Sequence, residues 1–393
     1  MERKDLESNI RKYKYIRLFG YFLFMMPIIT VFWQENGLDL RQIFILQAIY
    51  AAVILVTQIP TGHFADVYGR KLSIVMGGAA ILLATVGYSI SYGFIGFMIA
   101  EILWGAGMSF ISGADTALVY DTLAELKRKD DYKKIEGQAQ FFSNITGGVA
   151  AILGGFIATM GLRAAVYATI IPYTAVFFIA LSLKEPKRHA KIHEKGHIFH
   201  IYKIMRFALH RNKTIKWIIL YSSIILSMLM IAFWFYQPYM QMIKVPLAYF
   251  GIIYAFGNLI SAISSRYAYL FERKIGIKWA LISLPLICVA AFFLMGKAIF
   301  AFSFMFIFIF PFVGGVRLPI VNDAINRIVW PEKRATVLSI SGMVERLFFV
   351  ILSPFIGWFA DVYTMPQALM LSGVIVLVGG TITLIMLWRH KVL

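Results

Sequence analysis

The chain is a succession of apolar blocks, separated by short clusters of charged residues, glycine and proline. Each block is long enough to cross a bilayer as one helix, which takes about 20 residues. Lipid offers no partner to backbone N–H and C=O groups, so only helices or a closed barrel can span it. No block alternates apolar and polar residues as a barrel strand does. The sequence therefore reads as an all-α polytopic membrane protein. Composition agrees, with 60% of the 393 residues hydrophobic and 15% charged, against about half and a quarter in soluble domains. Those values exclude a soluble enzyme, a disordered chain and a disulfide-stapled secreted domain. Cys288 is the one cysteine and lies in an apolar run, so neither an intramolecular disulfide nor a thiolate metal site can form.

Twelve spans result: 15–33, 40–61, 72–92, 94–123, 135–160, 162–183, 215–237, 247–270, 279–295, 298–324, 335–360 and 366–388. No small-residue cleavage site follows the first, which reads as a retained span. The net charge of +18 gains meaning from its distribution. With the N-terminus inside, 32 of the 38 Lys and Arg fall on inward segments. Only Arg41, Arg163, Lys244 and Lys297 fall outside, while Arg317 and Arg346 lie within spans. This positive-inside pattern expects both termini in the cytoplasm and a location in the cytoplasmic (inner) membrane. It also accounts for the basic excess without nucleic acid.

A hydrophilic linker, 184–213, separates an N-terminal bundle of six spans (1–183) from a C-terminal one (214–393). Within it, Ile198, Ile201, Tyr202, Met205 and Leu209 share one helical face, flanked by Lys203, Arg206 and His210. This is either an amphipathic helix on the inner membrane surface or a linker packed under the bundle. His189, His193, His197 and His200 recur at about one helical turn. Without acid or thiol company beyond Glu194, they read as a solvated basic linker and not a metal site. The halves are weakly alike: 65–71 lies on 272–278, and 154–158 on 356–360. Duplication of six helices is a transporter design, with substrate bound near the membrane midplane.

The loop after the second span reads Gly62-His63-Phe64-Ala65-Asp66-Val67-Tyr68-Gly69-Arg70-Lys71. It resembles the signature loop of the major facilitator superfamily, Gly-x-x-x-Asp-x-x-Gly-Arg-Arg/Lys, in spacing and in position. The resemblance implies two six-helix bundles related by a pseudo-two-fold axis, working by alternating access. It also implies a gate that latches when the outer face is open, built from Gly62, Asp66, Gly69, Arg70 and Lys71, with Asp121 or Glu125 as the partner of Arg70. The segments Ser112–Asp121 and Arg334–Ser339 are similar to those of prokaryotic drug-efflux-type members. Two departures stand against that branch. The fifth span keeps Gly154-Gly155 but lacks the proline of the antiporter kink motif, and Glu101 stands where the family's fourth span carries arginine.

Ionisable residues at membrane depth mark cavities, partners or proton paths. Glu101 reads as a proton-coupling acid or as a structural hydrogen-bonding group. Glu345 is the second proton candidate, and Arg346 beside it reads as cavity lining. Asp115, Arg317 and Asp323 read as structural or gating residues, with Arg317 able to snorkel toward the headgroups. Gln47, Gln138, Asn144, Trp234, Tyr236, Gln237 and Asn258 are the remaining substrate-cavity candidates. There is no phosphate loop, nucleophile elbow or zinc motif, so no cofactor, metal or enzymatic activity is expected. The whole reads as a monomeric secondary transporter exporting an amphipathic organic compound against protons. A metabolite, sugar or siderophore carrier and a lipid flippase are the alternatives.

Overall fold

The computed structural model describes residues 3–187 and 206–390, all helix and connection, with no strand among the described residues. Thirteen α-helices lie among the described residues. The first eight are α1 (Arg3–Phe19), α2 (Ile29–Glu35), α3 (Leu40–Tyr68), α4 (Arg70–Ile90), α5 (Gly93–Ile111), α6 (Ala114–Glu125), α7 (Tyr132–Ala158) and α8 (Leu162–Ser182). The rest are α9 (Lys213–Met242), α10 (Ala248–Lys297), α11 (Ile309–Ile328), α12 (Pro331–Val362) and α13 (Met365–Arg389). Among the described residues, ten helical segments are long and apolar enough to cross a membrane.

That number is compatible with twelve spans, because backbone chemistry divides some expected spans and merges others. The 50 residues of α10 are two helices joined without a loop at Gly276 (φ 80°), a conformation that costs only glycine little. The expected span 94–123 breaks into α5 and α6 at Gly113 (φ 83°). The expected first span is interrupted as well. α1 ends at Phe19, and a 3₁₀ turn, Met26–Ile28, precedes α2. Pro27 in that turn has no N–H to donate. The amphipathic face at 198–205 and the row His189, His193, His197 and His200 lie outside the described residues.

The chain forms two compact units. The first takes in the described residues of 1–38, 49–191 and 246–255. In it, Leu6, Ile10 and Tyr13 of α1 pack with Val119 and Leu123 of α6 and Ile135 and Ala139 of α7. A second cluster joins Ile16, Ile74, Leu118, Val176 and Ala180. α4 and α5 touch backbone to backbone: a Cβ at Gly77 would lie 2.7 Å from the Gly107 carbonyl oxygen, and one at Gly107 2.9 Å from that of Gly77. Small residues at crossings are how membrane helices gain van der Waals contact, since lipid gives no hydrophobic drive to associate.

The second unit takes in the described residues of 39–48, 192–245 and 256–393. Its centre is α9, the most enclosed of the ten candidate spans, packed by α11, α12 and α13. Ser222, Ser223 and Ser227 of α9 are all buried, so this apolar helix carries a polar stripe inward. Large apolar side chains are exposed in both units, Ile90, Ile171 and Met160 in the first and Trp330, Ile351 and Val378 in the second. That much bare apolar surface is stable only against lipid.

Candidate functional site

Two polar centres and one charged loop network hold most of the ionisable residues expected to matter. The loop network is in the first unit. Gly62 and Asp66 lie on the last turns of α3, and Gly69 starts α4. The Arg70 guanidinium donates to the Ala117 carbonyl at 2.5 Å and pairs with Asp121. Glu125 does not join them; it accepts the Lys187 N–H at 2.7 Å. Glu185, which the sequence reading passed over, caps α4. Its two carboxylate oxygens accept the N–H groups of Arg70 at 2.9 Å and Lys71 at 2.7 Å. A carboxylate there satisfies donors that an α-helix leaves open and meets the positive end of its dipole.

The chain leaving α8 is strapped to α1 as well. Asn9, fully buried, donates to the Lys184 carbonyl at 2.8 Å and accepts the Lys184 N–H at 3.0 Å. Lys12 donates to the Ser182 carbonyl at 2.6 Å. Burial first, then the neighbouring Lys184, pushes the Lys12 ammonium below its ordinary pKa. Tyr13 donates to Glu136 at 2.5 Å. Burial first, and then that bond, raises the phenol far above its usual range, so it stays a donor.

The polar centre of the first unit surrounds Arg17. Its guanidinium lies 3.5 Å from Asp115 and 3.9 Å from Glu136, and donates to Gln140 at 3.0 Å. Gln140 donates onward to Asn144 at 3.0 Å, and the Tyr21 ring lies 5.7 Å from the cation. Gln138, two residues before Gln140, accepts from Lys14 at 2.6 Å. Asp115 is buried at the start of α6, where it accepts the Thr116 N–H at 2.7 Å. Glu101 stands apart from this group. It is buried and accepts the Tyr88 hydroxyl at 2.5 Å. Trp33, Phe97 and Trp104 ring Tyr88, with centroids 6.3, 5.7 and 6.2 Å away.

The second unit has its own centre. Arg317 of α11 donates to Glu345 of α12 at 2.9 Å, and Ser222 of α9 donates to the same oxygen at 2.5 Å. Arg317 also contacts the Ser222 hydroxyl. Snorkelling is therefore the wrong picture for Arg317: it is 3% exposed, because Glu345 and Ser222 supply a nearer partner than any headgroup. Arg346, the next residue along, is half-buried. Asp323 is half-buried and pairs with Arg327 at 2.5 Å, one turn on. Gln47, Trp234 and Gln237 are buried, Tyr236 stacks near Phe233 and Phe310 at 5.8 and 6.1 Å, and Asn258 is exposed. The structure thus joins Arg17 with Asp115 and Arg317 with Glu345, while Asn144 and Asn258 are exposed.

Ion pairs enclosed between helices of a polytopic membrane fold mark functional sites. The chain belongs to the Major Facilitator Superfamily, whose family model matches residues 16–347. An uncharacterized MFS-type transporter of Methanocaldococcus jannaschii is 25% identical over 254 residues, 62% of each chain. Multidrug resistance protein 2 of Bacillus subtilis is 29% identical over 172 residues, 42% of each chain. The match to these relatives thus spans less than two thirds of their length. Among solved structures, the nucleoside transporter NupG superposes with a TM-score of 0.81 at 13% identity, covering 97% of this chain and 99% of its own. A bacterial homolog of the human lysosomal transporter Spinster gives 0.74 at 14%, covering 98% of each chain. At such identities these structures show the fold.

Proposed function

We propose that this superfamily member is a secondary active transporter that exports an amphipathic organic compound in exchange for protons. It would work as a monomer in the cytoplasmic membrane, with both termini and the basic loops on the cytoplasmic side. The observation that carries the proton reading is the buried set Arg317–Glu345–Ser222. A carboxylate held by a cation releases its proton, and the same group removed from that cation and from water takes one up. Movement of α11 against α12 would convert one condition into the other. Glu101 with Tyr88 is the matching acid of the first unit, and Arg70, Asp66 and Asp121 form the gate. The aromatic surroundings of Glu101 and the multidrug resistance relative support an amphipathic compound.

Transport of a fluorescent amphipathic cation into inside-out vesicles tests this. An acidic interior should drive accumulation and an alkaline one should not. Glu101→Gln should abolish the pH-driven component while leaving binding measurable; full coupling in that variant would overturn its role. One observation favours a second reading, a carrier of polar metabolites: the row Arg17, Gln140 and Asn144, which ends on an exposed amide. Nucleoside or sugar uptake under the opposite pH gradient would select that reading.

A further inference from the structure

A groove of about 580 Å³ opens on the second unit between α9, α12 and α13. That volume falls in the range of small-molecule sites, about 300–1,000 Å³. Its walls include Ile224 of α9, Phe348, Ile351 and Leu352 of α12, and Val374 and Val378 of α13, and they present no polar surface. Gly379 lines it as well and lets α13 close on α9: a Cβ there would lie 2.8 Å from the Ile224 Cδ1. Phe348 and Leu352 follow Glu345 by three and seven residues, so the groove runs along the face of α12 that carries that acid.

Two bare apolar stripes run into it. On α12, Leu347, Ile351, Phe355 and Trp358 are exposed at intervals of three or four residues. On α13, Val374, Leu377, Val378, Ile382 and Ile385 are exposed in the same way. Ile351, Val374 and Val378 belong both to a stripe and to the groove, so the groove opens onto the surface that the stripes present to lipid. The α13 stripe ends on exposed Trp388 and Arg389, residue types that anchor a helix at headgroup level. Val374–Gly379 sit in the middle of the same helix, which is the depth of hydrocarbon.

An apolar void without partner atoms forfeits the dispersion contacts of its lining. Water does not fill it, because a held water needs several polar groups around it. The material in supply at this depth is lipid hydrocarbon, and the groove is continuous with the surface that lipid already covers. We propose that the groove is a binding site for one acyl chain of a membrane phospholipid, held there in preference to the rest of the lipid-facing surface. The chain packs against α9, α12 and α13 at once and completes their contact. This needs only that the three helices cross a bilayer; it does not depend on the direction or the coupling of transport.

Photolabelling of the full-length protein tests it. The probe is a phosphatidylcholine with a diazirine midway along one acyl chain, a minor component of phosphatidylethanolamine–phosphatidylglycerol vesicles. After illumination, adducts are mapped by peptide mass spectrometry. Peptides holding Ile351, Val374 and Val378 should carry roughly three- to tenfold more adduct than those holding Ile90 and Ile171. Exposure alone would give the reverse order, since Ile90 and Ile171 are 70% and 74% exposed and barer than the groove residues. Val378→Trp and Val374→Trp each fill the groove with an apolar side chain and should abolish the excess, while Ile171→Trp should leave it intact. Labelling that merely follows exposure overturns the site, and so does an excess that survives both filled variants. An excess displaced by the fluorescent amphipathic cation of the transport assay assigns the groove to the transported compound and overturns the lipid site. The map of the parent protein needs no variant, so it decides the question even where a tryptophan variant fails to fold.

Discussion

The Arg317 and Glu345 side chains are 4% and 13% exposed, so little water surrounds this pair. Breaking a buried pair by removing one partner leaves an uncompensated charge and costs about 3–5 kcal/mol, whereas replacing both with apolar groups of similar size is often neutral. Arg317→Met should therefore melt well below the parent in detergent, while the double variant Arg317→Met with Glu345→Leu recovers most of the loss. The same double variant should have no pH-driven transport, because no titratable group remains at that site. Recovery of stability together with retained coupling would leave proton transfer to Glu101 alone. At this scale the sequence showed each charge but not its partner. Arg317 and Glu345 are 28 residues apart, and only the packing of α11 on α12 and α9 brings them to one oxygen. Arg70 was easier to place, since spacing within the signature loop and the acid-rich end of α6 leave few candidates.

Helix ends and helix crossings set the next level. Glu185 sits in Leu-Lys-Glu-Pro, which reads as ordinary linker, yet it supplies both acceptors at the start of α4. Its partners lie 115 and 114 residues earlier, so no local pattern announces the contact. Glu185→Ala should cost about 1 kcal/mol of stability, the usual worth of an N-terminal cap, and Glu185→Gln less, as read by thermal melting. Crossings were not read from the sequence either, although glycine inside an apolar run has few other uses. Gly107→Val places a branched side chain where the α4 backbone already sits, and overpacking of this kind typically costs 1–3 kcal/mol. Gly137→Ala, with nothing among the described residues within 4 Å of a Cβ, is the matched control and should be nearly neutral. The break at Gly113 was not foreseen, since hydropathy is continuous through it and only backbone conformation divides α5 from α6.

For the whole molecule, sequence division and structural division differ. The linker separates two blocks of six expected spans, but each compact unit incorporates a short piece from the other side of it, 39–48 in one case and 246–255 in the other. Gly251 is the tightest point of the second exchange. A Cβ there would lie 3.1 Å from the Ile152 Cα and nearer still to the Ala151 backbone. Gly251→Leu should expel 246–255 from the first unit and broaden or split the thermal transition, because cooperativity depends on shared contacts. A single sharp transition at the parent's temperature would show that the exchange contributes little to stability.

The strap between Asn9 and Lys184 has a consequence for biosynthesis. A chain emerges from the ribosome N-terminus first, at roughly 5–20 residues per second. Asn9 then waits for a partner 175 residues downstream. For that interval of some tens of seconds, the Asn9 side chain has at most the Thr122 hydroxyl, 3.3 Å away, to answer it. The clasp closes only when the last helix of the first bundle has been delivered, so it serves as the receipt for a completed half.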